Sequence, residues 1–187
     1  MTQEDMLDDV AREDLLILVD GLDRERGTAT KWDAHARGLL HRAFSVVLVR
    51  DGADGPEMLL SQRAMGKYHS GGLWANSCCS HPREGEGLHD AARRRVREEL
   101  GCDAVGLREI AAFVYRAEFE NGLTEHEYDH VFVGRFEGEL APDPTEVSAT
   151  RWVGVGELAA ELADSPLLFS AWAPMVLSMA LADLRAS

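Results

Sequence analysis

The stretch Asn76-Ser77-Cys78-Cys79-Ser80-His81-Pro82 sets a thiol and an imidazole two residues apart. Such a pair suits a metal site or a reactive cysteine. It equally describes a small buried cysteine beside a solvated histidine. Glu125 and Glu127 stand at i and i+2. On a strand that spacing turns both carboxylates to one face, where like charges repel unless a proton or a cation lies between them. At a solvated loop end the same pair would carry no chemistry. His35 and His41 lie just before a strand-like run. Together with His81, Glu125 and Glu127 they would supply five nitrogen and oxygen ligands, a set that suits zinc or manganese better than calcium. His69, His89, His126 and His130 have no comparable context and read as ordinary polar residues.

A second group of charges surrounds one helix-like segment. Leu88, Ala92, Val96 and Leu100 recur every four residues and Gly101 follows, which predicts a helix over 88–100 with a glycine C-cap. It carries Arg93, Arg94, Arg95 and Arg97. Arg94–Glu98 and Arg95–Glu99 are i,i+4 pairs that would support the helix by themselves. Glu86, Glu98 and Glu99 offer a way to hold a hard cation, and through magnesium a diphosphate. Lys31, Arg63 and Lys67 precede the helix and are candidates for a local phosphate pocket, or ordinary surface charges.

The elements that must position these residues follow from apolar runs and turn residues. Leu15–Val19, Phe44–Val49, Met58–Ser61, Ile110–Phe119, Glu127–Phe136 and Thr150–Val153 read as strands. The second and third form a hairpin, and Asn121-Gly122 joins the fourth and fifth. Residues 66–87 read as a Gly-rich loop bearing Trp74, and 157–184 as helix broken by Pro166 and Pro174. The order predicts an α+β fold, an α/β/α sandwich with a mixed sheet, a central helix and C-terminal helices. At 187 residues we expect one domain over 13–187 after an acidic segment over 1–12. Nineteen Lys and Arg against 33 Asp and Glu give a net charge of −14, which argues against broad binding to nucleic-acid phosphates. No apolar run approaches the ~20 residues of a membrane span. Three cysteines, two of them adjacent, argue against a disulfide framework, and with no export signal at the N-terminus they point to the cytoplasm.

Glu86, Arg94, Val96, Glu98, Glu99 and Gly101 fall at the spacing of the Nudix motif, and the chain resembles Nudix-fold proteins. Ser80 stands where that motif has Gly, and Arg95 where it has the first Glu. These departures resemble one branch, type 1 isopentenyl diphosphate isomerase. The matching segments are 39–45, 74–82, 94–101, 115–117 and 125–127, with Phe169-Ser170-Ala171-Trp172 near the end.

The resemblance implies a double-bond shift between isopentenyl and dimethylallyl diphosphate through a tertiary carbocation. It implies Cys79 and Glu127 as catalytic residues, with Tyr115 assisting. It implies His35, His41, His81, Glu125 and Glu127 as ligands of one divalent metal, Zn2+ or Mn2+. Glu99 and the Cys79 backbone carbonyl would hold a diphosphate-bridging Mg2+. Lys31, Arg63, Lys67 and Arg95 would contact the diphosphate, and Trp172 would shelter the cation, with Trp74 as second candidate. The expected partner is a small-molecule diphosphate, with no nucleic acid or membrane, in a monomer or weak homodimer. The competing reading is a Nudix pyrophosphohydrolase of a nucleoside diphosphate derivative, resting on Glu86, Glu98 and Glu99.

Overall fold

A computed structural model describes residues 15–186. The acidic segment expected over 1–12 lies outside the described residues. The strands are β1 (Leu15–Val19), β2 (Glu25–Thr30), β3 (His41–Gly52), β4 (Gly55–Arg63), β5 (Trp74–Ala75), β6 (Cys78–Ser80), β7 (Asp103–Glu118), β8 (Thr124–Glu137) and β9 (Val147–Gly154). The helices are α1 (Lys31–Arg37), α2 (Leu88–Leu100), α3 (Val155–Asp164) and α4 (Ala173–Ala186), with a 3-10 turn at Pro166–Leu168.

Strand β3 organises the sheet. Along one edge it pairs in parallel with β8 from His41↔Glu127 to Val49↔Arg135. Along the other it meets β1 at His41, β6 over 44–46 and β4 over 49–52, all antiparallel. Strand β7 pairs with β8 and β9 with β4. Successive strand residues point to opposite faces, and β3 obeys this closely. Phe44, Val46 and Leu48 join a core with Ala91, Ala92, Val96 and Leu100 of α2. Val47 and Val49 join a core with Leu158 of α3 and Trp172, Val176 and Leu177 at α4. Helices thus cover both faces, and the expected α/β/α arrangement is present.

Helix α2 matches its expected span, and Gly101 caps it in the left-handed region (φ +67°) with its N–H donated to Arg97 O. A Cβ there would lie 2.7 Å from Ala141 O. Three features were not legible. Strand β2 (Glu-Arg-Gly-Thr-Ala-Thr) is nearly all exposed and lacks apolar alternation. Helix α1 has only seven residues. The expected loop over 66–87 contains β5 and β6. The two-residue β5 pairs with β4, and β6 is a β3 partner, so tertiary pairing rather than propensity makes them strands. Pro174 does not break a helix; it sits in the first turn of α4, where its missing N–H costs nothing.

Ser77, fully buried between β5 and β6, ties this segment to the sheet. Its Oγ donates to Leu59 O (2.7 Å) and accepts from Leu48 N (2.8 Å), while Ser61 Oγ donates to Ser77 O (2.7 Å). Ser77→Ala leaves a buried carbonyl and a buried N–H without these partners, and we expect a loss of about 1–3 kcal/mol in unfolding free energy. A urea titration showing an unchanged midpoint would refute this.

Candidate active site

The site lies on the α4 face of the sheet, and strand register assembles it. In β8, Glu125, Glu127 and Asp129 share one face. His41 of β3 is the register partner of Glu127 on one side, and Tyr115 of β7 is its partner on the other. Ser45, four residues beyond His41, pairs with Cys79 of β6. The α1 helix brings His35 beneath the same carboxylates, and its N-cap Thr30 holds the helix start by accepting from Asp33 N. Cys78 and Cys79 point to opposite faces: the first packs in the α2 core, the second against the α4 core.

The carboxylate pair is not a solvated loop end. Glu125 is 3% and Glu127 8% exposed. Glu127 Oε1 lies 2.9 Å from His81 Nε2 and 3.6 Å from His41 Nε2, and Tyr115 Oη donates to Glu127 Oε2 (2.5 Å). Glu125 Oε1 lies 3.2 Å from His35 Nε2. Although burial pushes the other way, the His41 and His81 imidazoles hold Glu127 well below the ordinary carboxylate range. Burial lowers His81 to about 4, against the pull of Glu127. Burial raises Tyr115, and the Glu127 charge adds to that.

Tautomers follow from carbonyl partners. His35 Nδ1 lies 2.6 Å from Lys31 O and His41 Nδ1 lies 2.8 Å from Leu39 O. A carbonyl only accepts, so each Nδ1 carries a proton, and in the neutral imidazole each Nε2 then keeps its lone pair. This is the arrangement of metal-binding histidines, whose second nitrogen is tied to a carbonyl or carboxylate. The ligand atoms of His35, His41, His81 and Glu127 lie within 4.8 Å of one another. His41 Nε2 and Glu125 Oε2 are buried without a hydrogen-bond partner. The donor set and these orphaned atoms fit a divalent ion of borderline type.

Cys79 is fixed from three sides. Asn76 Nδ2 donates to Val46 O (3.1 Å) and Cys78 O (2.9 Å), which turns Asn76 Oδ1 to the sulfur, and Cys79 Sγ donates to it at 3.1 Å. Trp172 Nε1 donates to Cys79 Sγ (3.0 Å). Ser45 Oγ lies 3.7 Å from the sulfur and donates to Asp129 Oδ2 (2.8 Å). Burial, with the Asp129 charge, pushes the Cys79 thiol up to about 12. Asp129 is itself 1% exposed, and burial followed by the Glu127 charge raises it well above the usual range.

One cavity joins these groups. Cys79, Tyr115, Glu125, Glu127 and Trp172 line it together with Lys31, Arg63, Lys67, Arg95 and Glu99. The four cations have partners within the protein. Arg95 Nη2 lies 2.5 Å from Glu99 Oε1 and Lys67 pairs with Glu146. Lys31 Nζ lies over the Tyr68 ring at 5.1 Å, and the Arg63 guanidinium lies over Trp172 at 5.1 Å. Glu99 is buried, which raises its pKa against the pull of Arg95.

Four expectations change. Glu86 already has partners within the protein: Arg94 donates to it at 2.7 and 2.8 Å and Arg83 N at 2.9 Å, so it clamps the loop to α2. Trp74 is outside the cavity lining and faces Arg151, whose guanidinium lies 4.5 Å from its ring. His69 is no ordinary surface residue: it is buried, with Nε2 2.5 Å from Glu125 Oε1. His130 is likewise buried, between Glu109 (2.8 Å) and Asp23 (3.1 Å). Sequence reasoning also missed Asp129 and Glu146. Asp129 continues the period-two run of Glu125 and Glu127, a signal that was present; Glu146 had none.

Residues 39–173 match the NUDIX domain. An isopentenyl-diphosphate Delta-isomerase of Burkholderia multivorans is 55% identical over 160 residues, 86% of this chain and 89% of that protein. One of Photobacterium profundum is 49% identical over 174 residues, 92% and 97% of the two chains. The chain belongs to the isopentenyl-diphosphate Delta-isomerases. It is accordingly an enzyme of the isomerase class on a NUDIX fold. Solved structures support the fold alone. A crystal structure from Deinococcus radiodurans matches with a TM-score of 0.62 at 22% identity, covering 81% of this chain and 90% of that one. The NUDIX domain of Shewanella oneidensis NrtR, complexed with ADP ribose, matches with a TM-score of 0.60 at 16% identity, covering 98% and 99%. Among the described residues no helix is long and apolar enough to cross a membrane.

The thiol environment makes a chemical prediction. With Cys79 pushed up to about 12, the thiolate at pH 8 is far scarcer than for an unperturbed cysteine. Iodoacetamide at pH 8 should therefore modify Cys79 of the native protein far more slowly than after unfolding, read by peptide mass. Equal rates in the two states would contradict the described environment.

Proposed function

We propose that this enzyme interconverts isopentenyl and dimethylallyl diphosphate, with Glu127 and Cys79 as the two proton-exchanging groups. The observation that carries the reading is the shared cavity: a thiol and a buried carboxylate stand on its walls, and four cations stand on the same walls. The chemistry needs one proton added to an unactivated alkene and one removed from the neighbouring carbon. The tertiary cation between the two steps must be kept from water.

Each residue has a part. Tyr115 donates to Glu127 Oε2 and so fixes the orientation of the carboxyl group in the cavity. Cys79, oriented by Asn76 and Trp172, presents a protonated sulfur as the second carrier. The Trp172 ring, 3% exposed, offers an aromatic face worth about 0.5–2 kcal/mol to a nearby cation. Lys31, Arg63, Lys67 and Arg95 bind the diphosphate, which is unchanged by the reaction. It serves as a handle whose binding energy positions the five-carbon tail. Arg95, standing at the motif's acid position, makes the site grip phosphate instead of cleaving it. Before it can do so, Arg95 and Lys67 must exchange Glu99 and Glu146 for the substrate.

His35, His41, His81, Glu125 and Glu127 would hold one divalent ion, zinc or manganese by donor type, and that ion would make the Glu127 carboxyl a stronger acid and offset the buried negative charge. Glu99 and the Cys79 carbonyl would hold magnesium brought with the diphosphate. The reading takes a small-molecule diphosphate as the only partner, requires neither nucleic acid nor membrane, works in a monomer or weak homodimer, and places the enzyme in the cytoplasm.

Incubation of the protein with isopentenyl diphosphate and magnesium should yield dimethylallyl diphosphate without phosphate release. Cys79→Ala and Glu127→Gln should each lower kcat by about 10²–10⁴-fold, the usual worth of a positioned acid or base. Cys102→Ala, away from the cavity, should keep most of the activity. Full turnover by the Cys79 variant would remove the thiol from the mechanism. Release of phosphate or a nucleotide, insensitive to that variant, would favour the hydrolase reading.

A further inference from the structure

The cavity wall holds one imidazole outside the five-residue metal set. His69 is 6% exposed, with its ring stacked on Phe119 (centroids 4.4 Å apart, 9° between planes) and edge-on to Trp172 at 5.9 Å. Packing between two aromatic rings fixes where its Nε2 points. That atom lies 2.5 Å from Glu125 Oε1, yet it has no hydrogen-bond partner. Glu125 Oε2 has none either. Burying a ring nitrogen and a carboxylate oxygen without hydrogen bonds is costly. Two ligands of one cation, by contrast, must converge without being aligned to bond each other.

The surroundings supply the rest of the argument. The ligand atoms of His35, His69 and Glu125 lie within 4.8 Å of one another, and His35 also belongs to the group formed with His41, His81 and Glu127. His69 Nδ1 lies 3.2 Å from Ser70 Oγ. That hydroxyl oxygen can accept Nδ1–H, which leaves the Nε2 lone pair for a metal, the same division of labour as in His35 and His41. Ser70 itself adopts φ +53°, an unusual backbone for a non-glycine residue, at the point where the chain turns beside this imidazole.

We infer that His69 Nε2 is a further ligand of the divalent-metal centre, entering beside Glu125 and joined through His35 to His41, His81 and Glu127. The inference rests on the metal centre of the proposed function, and adds to it a ligand from the segment that precedes β5. Through its edge contact with Trp172, that ligand links the metal centre to the aromatic wall.

The test uses the full chain, stripped with a chelator and reloaded with Zn2+. X-ray absorption counts the imidazoles on zinc, and competition with a chromophoric chelator gives the affinity. His69→Gln and His69→Asn should each lower the imidazole count by one and weaken zinc binding about tenfold or more. His41→Gln serves as the reference, and thermal unfolding identifies which variants remain folded. If His41→Gln loses an imidazole while both His69 variants keep the wild-type count, His69 is no ligand, and a weaker affinity alone would not rescue the idea. If neither His41 nor His69 replacement alters zinc binding, the metal centre itself is wrong.

Discussion

Two carboxylates buried two residues apart on one strand set the terms for everything around them. Glu125 and Glu127, with Asp129 next in line, leave water on the same face of β8. Removing an ion from water costs several kcal/mol even after relaxation, and neighbouring like charges add to that cost. The fold answers with imidazoles brought from three directions: β3 supplies His41, α1 supplies His35, and the segment after β6 supplies His81. Asp129 takes the other course. It sits deepest, where burial favours its neutral form, and Ser45 supplies its hydrogen bond. The register of β3 against β8 is therefore more than architecture. A slip of one residue would turn the three acids into the α2 core.

The motif on α2 divides its labour. Glu86 and Arg94 form a closed clamp between the loop and the helix, with Glu98 at its edge. Glu99 and Arg95, one step further round the helix, line the cavity. The same stretch of sequence thus holds the loop in place and equips the site. Val96 and Leu100 anchor both functions in the core.

Much of this was legible beforehand, for reasons that differ by element. Helix α2 announced itself through a four-residue apolar repeat and a terminal glycine, both local signals. The central strands showed as β-branched runs closed by turn residues. That His35, His41, His81 and Glu127 come together was open on residue type and spacing and implied by the motif resemblance, because residues so far apart in sequence converge only through the folded sheet and α1. Strand β2, helix α1 and the short β5 and β6 were not legible, since each exists through its neighbours rather than its own composition. Glu86 misled because a carboxylate in a salt bridge and a carboxylate awaiting a cation look alike in one dimension. His69 misled because its burial depends on Phe119 and Trp172, at 50 and 103 positions' remove.

The adjacent cysteines have one more consequence. Because β6 is pleated, their sulfurs leave the backbone on opposite sides, one into the α2 core and one toward the cavity. Joining them as a vicinal disulfide would require both sulfurs on one side, and so the loss of the Val46↔Cys78 and Ser45↔Cys79 ladder pairs. The sheet itself therefore keeps the Cys79 sulfur from being joined in a disulfide to its own neighbour in the chain, a redox safeguard built from nothing more than strand geometry.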